Sequence, residues 1–148
     1  MPFLRVYIHF VWSTKKRIPY LATPGLRKRV WWHMLKNAAS KDIFIDFING
    51  YSDHCHSLIS LKSNQNIEDC MQLIKGESAR WINEKKLLKG TDYNWFEWQD
   101  EYWGVSINPH DINNVREYIK HQEQHHKIIS FNDEFNDYMN VHGFQLFK

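Results

Sequence analysis

The sequence predicts an α+β fold: a ferredoxin-like βαββαβ antiparallel sheet, then a tyrosine-bearing helix and a further terminal helix. Three observations carry this. Residues 3–12 alternate apolar and mixed side chains with the period of two that a strand requires. Residues 42–61 hold two strand-like runs separated by a turn at Gly50, the pattern of a hairpin. Segments of helical periodicity lie between and after these runs, which gives the order β-α-β-β-α-β and then two helices.

In the first strand Leu4, Val6, Ile8, Phe10 and Trp12 face one way, and Phe3, Arg5, Tyr7, His9 and Val11 face the other. One face is therefore apolar and the other mixed. Residues 13–19 form a basic loop. Thr23 caps the next helix with Pro24 at its first position. Its stripe is Leu26, Val30, Trp31, Met34, Leu35 and Ala38, with Arg27, Lys28 and Arg29 beside it. Residues 42–49 and 51–61 form the hairpin. Asn66 caps a second helix that the spacing carries to about Lys89, ended by Gly90, with Gly76 inside it as a point of close backbone approach. An aromatic segment from Tyr93 to Trp103 leads to a last strand near 102–107. Residues 111–126 read as one helix, and Ser130 caps another that bears Phe131, Phe135, Tyr138 and Met139 and closes at Gly143.

Composition narrows the class. At 148 residues the chain reads as a single domain, 1–148, large enough for a real core. No apolar run approaches the roughly 20 residues of a membrane helix. Cys55 and Cys70 both fall on predicted core faces, which suits reduced thiols and a cytoplasmic setting. Net charge is only +2, so any binding of nucleic acid has to come from local patches.

The chemistry concentrates in two places. In 51–61, His54 and His56 flank Cys55; on a strand both imidazoles share one half-exposed face, with Cα atoms about 7 Å apart, close enough to share one divalent metal. Such pairs are also common as plain surface residues. Cys55 turns to the other face, with Ile59 and Leu61. In 111–126, Tyr118 and Gln122 are four apart on one helix face. Gln122 stands where the apolar stripe Ile112, Val115, Ile119 should continue, and a buried amide needs a polar partner. Together the two stretches supply two nitrogen ligands, an oxygen ligand and an oxygen nucleophile.

A His-x-His pair on an inner strand with Tyr-x-x-x-Gln on the helix after the last strand resembles the HUH single-tyrosine transposases of the smallest bacterial insertion sequences (IS-two-hundred/six-hundred-and-five type). The stretch Lys75-Gly-Glu-Ser-Ala-Arg-Trp-Ile, the stretch Phe96-Glu-Trp-Gln-Asp-Glu-Tyr-Trp-Gly-Val-Ser, and Tyr118-Ile-Lys-His-Gln-Glu-Gln-His-His carry the same likeness over nearly the whole chain. The chain departs from the pattern at Cys55, where a larger aliphatic is usual, and at Trp103, inserted between Tyr102 and Gly104.

The resemblance implies a transposase that cleaves and rejoins single-stranded DNA at hairpin-containing element ends. Mg²⁺ or Mn²⁺ would be held by His54, His56 and Gln122. Tyr118 would be the nucleophile and would leave a 5′-phosphotyrosyl protein. Lys15, Lys16, Arg17, Arg27, Lys28 and Arg80 are candidate phosphate contacts, and Trp95, Trp98 and Trp103 candidate stacking platforms for unpaired bases. A homodimer is implied, with Tyr118 of one subunit facing the histidines of the other. The alternatives are a housekeeping nuclease acting on chromosomal repeats and a hairpin-binding protein that no longer cuts.

Overall fold

The computed structural model describes residues 2–127 and 129–143. Four strands form one sheet: β1 (Val6–Ser13), β2 (Phe44–Tyr51), β3 (His54–Leu61) and β4 (Trp103–Ile107). Their order is β2-β3-β1-β4, with every neighbouring pair antiparallel. With α1 (Pro24–Ser40) after β1 and α2 (Ile67–Glu84) after β3, this is the expected ferredoxin-like arrangement. Among the described residues three α-helices follow β4: α3 (Ile112–Lys120), α4 (Gln122–His125) and α5 (Phe131–Val141).

The alternation in β1 divides the molecule into two layers. Ile8, Phe10 and Trp12 enter the main core with Cys55 and Ile59 of β3, against Val30, Trp31 and Met34 of α1 and Met71 and Ile74 of α2. On the opposite face Val11 packs under Phe131, Phe135, Tyr138 and Met139 of α5, while Leu58 packs under Ile112 and Ile119 of α3. Both faces of the sheet are thus covered. The histidine strand that the spacing left half-exposed is inside the protein, and His54 and His56 are fully buried.

Two glycines are required by contact. A Cβ at Gly50 would lie 2.2 Å from the His54 carbonyl oxygen, so only glycine closes the β2–β3 hairpin this tightly. A Cβ at Gly104 would press 2.9 Å from the Phe10 ring, which lies over the bare backbone of β4. Gly76 differs from expectation: nothing lies within 4 Å of where its Cβ would be, so it marks no close approach. The second helix also ends sooner than its periodicity suggests, because Lys86 turns into the left-handed region (φ 52°) just past Glu84.

The aromatic segment is neither helix nor strand, yet it is firmly held. Lys75 Nζ donates to the carbonyls of Gln99 (2.7 Å), Asp100 (2.9 Å) and Glu101 (3.3 Å). Trp98 Nε1 donates to Ser78 Oγ at 2.9 Å. Asn83 both accepts from the Phe96 amide (2.8 Å) and donates to its carbonyl (3.0 Å). The two stretches 75–82 and 96–106 are thus halves of one clasp, which gives their joint occurrence a physical reason. Among the described residues no helix is long and apolar enough to cross a membrane.

Candidate functional site

The site lies on the second face of the sheet, under α3, α4 and α5. The edge strand β2 fastens the tyrosine helix. Its register shifts between Ile45 and Phe47, and the bulged Asp46 takes both Nε (2.6 Å) and Nη2 (2.7 Å) of Arg116 in a fork. At the other end of α3, Asn49 Nδ2 donates to the carbonyls of Ile119 (3.0 Å) and Lys120 (3.1 Å). Those carbonyls sit where the helix would otherwise continue, and the chain breaks at His121 (φ −95°, ψ 19°). The single helix expected over 111–126 is therefore two, α3 and α4. Tyr118 and Gln122 fall on either side of the break. They keep contact, since Gln122 Nε2 approaches the Tyr118 carbonyl at 3.4 Å.

Gln122 is fully buried, and it finds the polar partners that a buried amide needs. Its Oε1 lies 3.1 Å from His54 Nε2 and 2.9 Å from His126 Nε2. Opposite it stands Glu134 of α5. Glu134 Oε1 lies 3.4 Å from His54 Nε2, 3.0 Å from His56 Nε2 and 3.2 Å from His126 Nε2. Its Oε2 accepts the hydroxyl of Tyr118 and lies 3.1 Å from His125 Nε2. His54, His126 and Glu134 together form a group able to hold a metal ion.

Each histidine is oriented from behind. His54 Nδ1 lies 2.8 Å from Asp53 Oδ1, and its ring stacks on Phe131 with centroids 4.1 Å apart. His126 Nδ1 lies 2.8 Å from the Ile129 carbonyl. His56 Nδ1 lies 2.9 Å from Nε2 of His9, a buried residue of β1. Second-sphere bonds of this kind fix ring tautomer and direction.

The electrostatics follow from burial and these contacts. Burial opposes the charge on Glu134, but the imidazoles of His126, His54 and His56 against it outweigh that and hold the carboxyl far below the usual carboxylate range. Burial also opposes a charge on His54, yet Asp53 and Glu134 bring its pKa above the ordinary imidazole value. His56, more completely enclosed, is pushed down to about 4 by burial, against the pull of Glu134. Burial first, and then the neighbouring His56 ring, lower the pKa of His9 well below the ordinary imidazole value. Burial first, and then the Glu134 charge beside its hydroxyl, raise the Tyr118 phenol. Tyr118 itself remains open to solvent, 38% exposed.

One chain alone thus brings Tyr118, His54, His56 and Gln122 together. This differs from the shared-site expectation, since no second subunit is needed to join the tyrosine to the histidines. Sequence reasoning missed His9, His126 and Glu134. Glu134 carried a usable signal: it lies three residues from Phe131 and four from Tyr138, inside the apolar stripe of α5.

The expected DNA contacts divide. Arg27 is buried, at 3% exposure. Its guanidinium is committed to both oxygens of Glu123 (2.7 Å each) and to the Leu21 carbonyl, and it lies over the Tyr51 ring; it is a structural cation and not a free one. Trp98 is core, wedged against Trp12 and Phe96. Trp103 is half-buried, edge-on to Phe135. Arg17 lies over both Phe131 and Phe135, and Lys15 pairs with Glu97 at 2.7 Å. Lys16, Lys28 and Arg80 are exposed. Trp95 is 61% exposed, on the rim of a groove of about 930 Å³.

Comparison with known proteins bears on this geometry. The family described as IS200-like transposase matches residues 3–122, from the first strand through Tyr118 and Gln122 and short of His126 and Glu134. No curated protein matches the chain. Among solved structures, a candidate transposase from Deinococcus radiodurans R1 superposes with a TM-score of 0.63 at 20% identity, covering 82% of this chain and 93% of its own. A REP-associated tyrosine transposase bound to a REP hairpin gives 0.60 at 14% identity, covering 87% and 73%. At these identities the two structures establish the fold. With four fifths of the sequence matched by one family, the chain belongs to the IS200-like transposases.

Proposed function

We propose that the protein cleaves and rejoins single-stranded DNA at hairpin-bearing ends, with Tyr118 as nucleophile. The observation that carries this reading is that His54 meets Gln122, and His54 and His56 both meet Glu134, beside a tyrosine whose hydroxyl reaches that same carboxylate. The Tyr118 oxygen forms a bond to the scissile phosphorus while the bond from phosphorus to the 3′ oxygen breaks. The proton lost by the phenol is balanced by the one taken up by the departing 3′ oxygen. The products are a 5′-phosphotyrosyl protein and a free 3′-hydroxyl, and the reverse step rejoins a strand without an external energy source.

The donor set fits a divalent cation, with imidazole nitrogens, an amide oxygen and a carboxylate facing one another. When bound, the cation polarises the scissile phosphate and offsets charge as the new bond forms. The protein's own share is orientation. Asp53, His9 and the Ile129 carbonyl aim the three rings, and β2 positions the tyrosine helix through Asp46 and Asn49.

DNA would be held by the exposed Lys16, Lys28 and Arg80, by Lys15 and Arg17, and by Trp95 stacking on an unpaired base. The hairpin carried by the REP-associated structure supports a folded single strand as substrate. We take the working form to be a homodimer, since two ends must be cut together.

Denaturing electrophoresis with a labelled hairpin oligonucleotide tests the reading. Tyr118→Phe should bind the oligonucleotide yet form no covalent adduct; a persisting adduct would move the nucleophile to another tyrosine. Co-expression of Tyr118→Phe with His54→Ala/His56→Ala then tests the site's composition. Sites assembled within one chain give no recovery. Sites shared across a dimer restore roughly a quarter of wild-type cleavage, since about half the dimers are mixed, each with one intact site.

A further inference from the structure

The family match ends at Gln122, but the chemistry of the cluster does not. Four donor atoms form a closed ring: His54 Nε2, Gln122 Oε1, His126 Nε2 and Glu134 Oε1. Its edges, taken in that order, are 3.1, 2.9, 3.2 and 3.4 Å. A regular four-donor ring of such edges has its centre about 2.2 Å from each atom, close to the bond length of first-row and related dications. His56 meets the ring at Glu134 Oε1.

The tautomers carry the inference further. His54 Nδ1 faces the Asp53 carboxylate and His126 Nδ1 faces a backbone carbonyl, both acceptors only, so each Nδ1 carries its hydrogen. A neutral ring then presents the Nε2 lone pair inward. Two such lone pairs would face the lone pairs of Gln122 Oε1 and Glu134 Oε1. Four acceptors around one point, one of them anionic, call for positive charge at the centre.

We propose that His126 and Glu134 are metal ligands alongside His54 and Gln122, and that the site selects a first-row transition dication over Mg²⁺. This rests on the metal-assisted reading above and deepens it. Mg²⁺ keeps several waters and dehydrates reluctantly, so a site demanding four protein donors suits it poorly. Imidazole nitrogens suit the later first-row dications such as Co²⁺ and Zn²⁺, with Mn²⁺ the weakest of that series and drawn mainly by the carboxylate and amide oxygens, while the carboxylate supplies anchoring charge. Because Glu134 lies on α5, the ion ties that helix to the sheet. Because Oε2 of the same carboxylate accepts the Tyr118 hydroxyl, the ion also fixes the nucleophile at one remove.

The test is metal binding by the full chain without DNA. Chelator-stripped protein is titrated with MnCl₂, CoCl₂ and MgCl₂ by calorimetry, and the Co²⁺ form is read by its visible absorption. We expect Mn²⁺ and Co²⁺ to bind at least tenfold tighter than Mg²⁺. His126→Ala and Glu134→Gln should each weaken Co²⁺ binding tenfold or more and alter its spectrum, with the far-UV circular dichroism unchanged. Wild-type Co²⁺ affinity in both folded variants overturns the assignment, as does equal affinity for Mg²⁺. An imidazolium ring, the other way to supply the charge, predicts no metal binding without DNA, and that result overturns it too. Should a variant unfold, the wild-type Co²⁺ spectrum decides by itself: bands without imidazole coordination sink the proposal. Covalent-adduct assays keep the two readings apart. Adduct formation with unaltered metal affinity in the variants refutes only the extra ligands. Tight Co²⁺ binding without adduct under any metal refutes only the cleavage reading.

Discussion

The two faces of the sheet obey opposite rules. On the face under α1 and α2, Phe10, Trp12, Cys55 and Ile59 are buried by apolar neighbours and need nothing else. On the face under α3, α4 and α5, His9, His54, His56, Gln122 and Glu134 are buried just as deeply, and each must find a polar partner. The first face stabilises through area, to which many residues contribute and which tolerates substitution. The second is a network in which each member satisfies others, so removing one orphans several. Burial alone therefore distinguishes nothing in this protein. What separates a structural face from a chemical one is whether the buried atoms are apolar or paired.

The comparison breaks most visibly at Trp12. Trp12→Ala opens the main core and should cost about 3–5 kcal/mol, lowering the denaturant midpoint of the whole chain and removing cleavage only through unfolding. His54→Ala should do the reverse in proportion. Cleavage disappears, while stability falls by about 1–3 kcal/mol because Gln122 and Glu134 lose a partner and Phe131 its stacked ring. A destabilisation close to that of Trp12→Ala would show that the polar face also carries the fold's main support.

Arg27 and Lys16 sharpen the same contrast among cations. Arg27→Ala breaks a largely buried fork to Glu123 and should cost about 2 kcal/mol, less than a fully buried pair because Glu123 is part-exposed, with hairpin affinity unaltered once folded. Lys16→Ala should leave the melting temperature in place and reduce the salt dependence of DNA binding by about one counterion. An exchange of these two outcomes would invert the division of the basic residues given above.

The smallest effect is a slope. Burial lowers the Lys75 pKa to about 8, against the opposing charges of Asp100 and Glu101. Between about 8 and the ordinary value of 10.5 the unfolded chain holds the proton and the folded chain does not. Stability therefore rises with pH across that window in wild type relative to Lys75→Met. Thermal melts at pH 7.5, 9 and 10 check the sign; parallel curves for the two proteins would place Lys75 in a solvated setting.

Legibility followed the same divide. The strand and helix order, the core stripe and the orientation of Cys55 could be read because period-two and period-3.6 patterns report apolar burial directly. The nearness of His54 to His56 and of Tyr118 to Gln122 was legible because two short spacings each put polar groups on one face. The helix break at His121 was not, because its cause is Asn49, 70 residues from the carbonyl of Ile119 that it caps. Glu134 went unmarked in the sequence, since it lies in the first turn after the Ser130 cap, where acids suit the helix dipole. Arg27 read as a candidate phosphate contact because nothing local announces that Glu123 folds back onto it. In each case the missing information was a long-range polar pair, which periodicity does not encode.

The fastening of α3 to β2 bears on how this lineage can decay. Asp46, Asn49 and Arg116 touch no reacting atom, and substitution at any of them leaves every signature residue in place. A copy that lost the Asp46 fork would still read as armed by its histidines and its tyrosine. Under the cleavage reading proposed above, its Tyr118 would nonetheless hang from an unmoored helix. Counting intact signatures across a genome therefore overstates the number of working elements. The better census asks whether the acid on the edge strand and the arginine two residues before the tyrosine have been kept together.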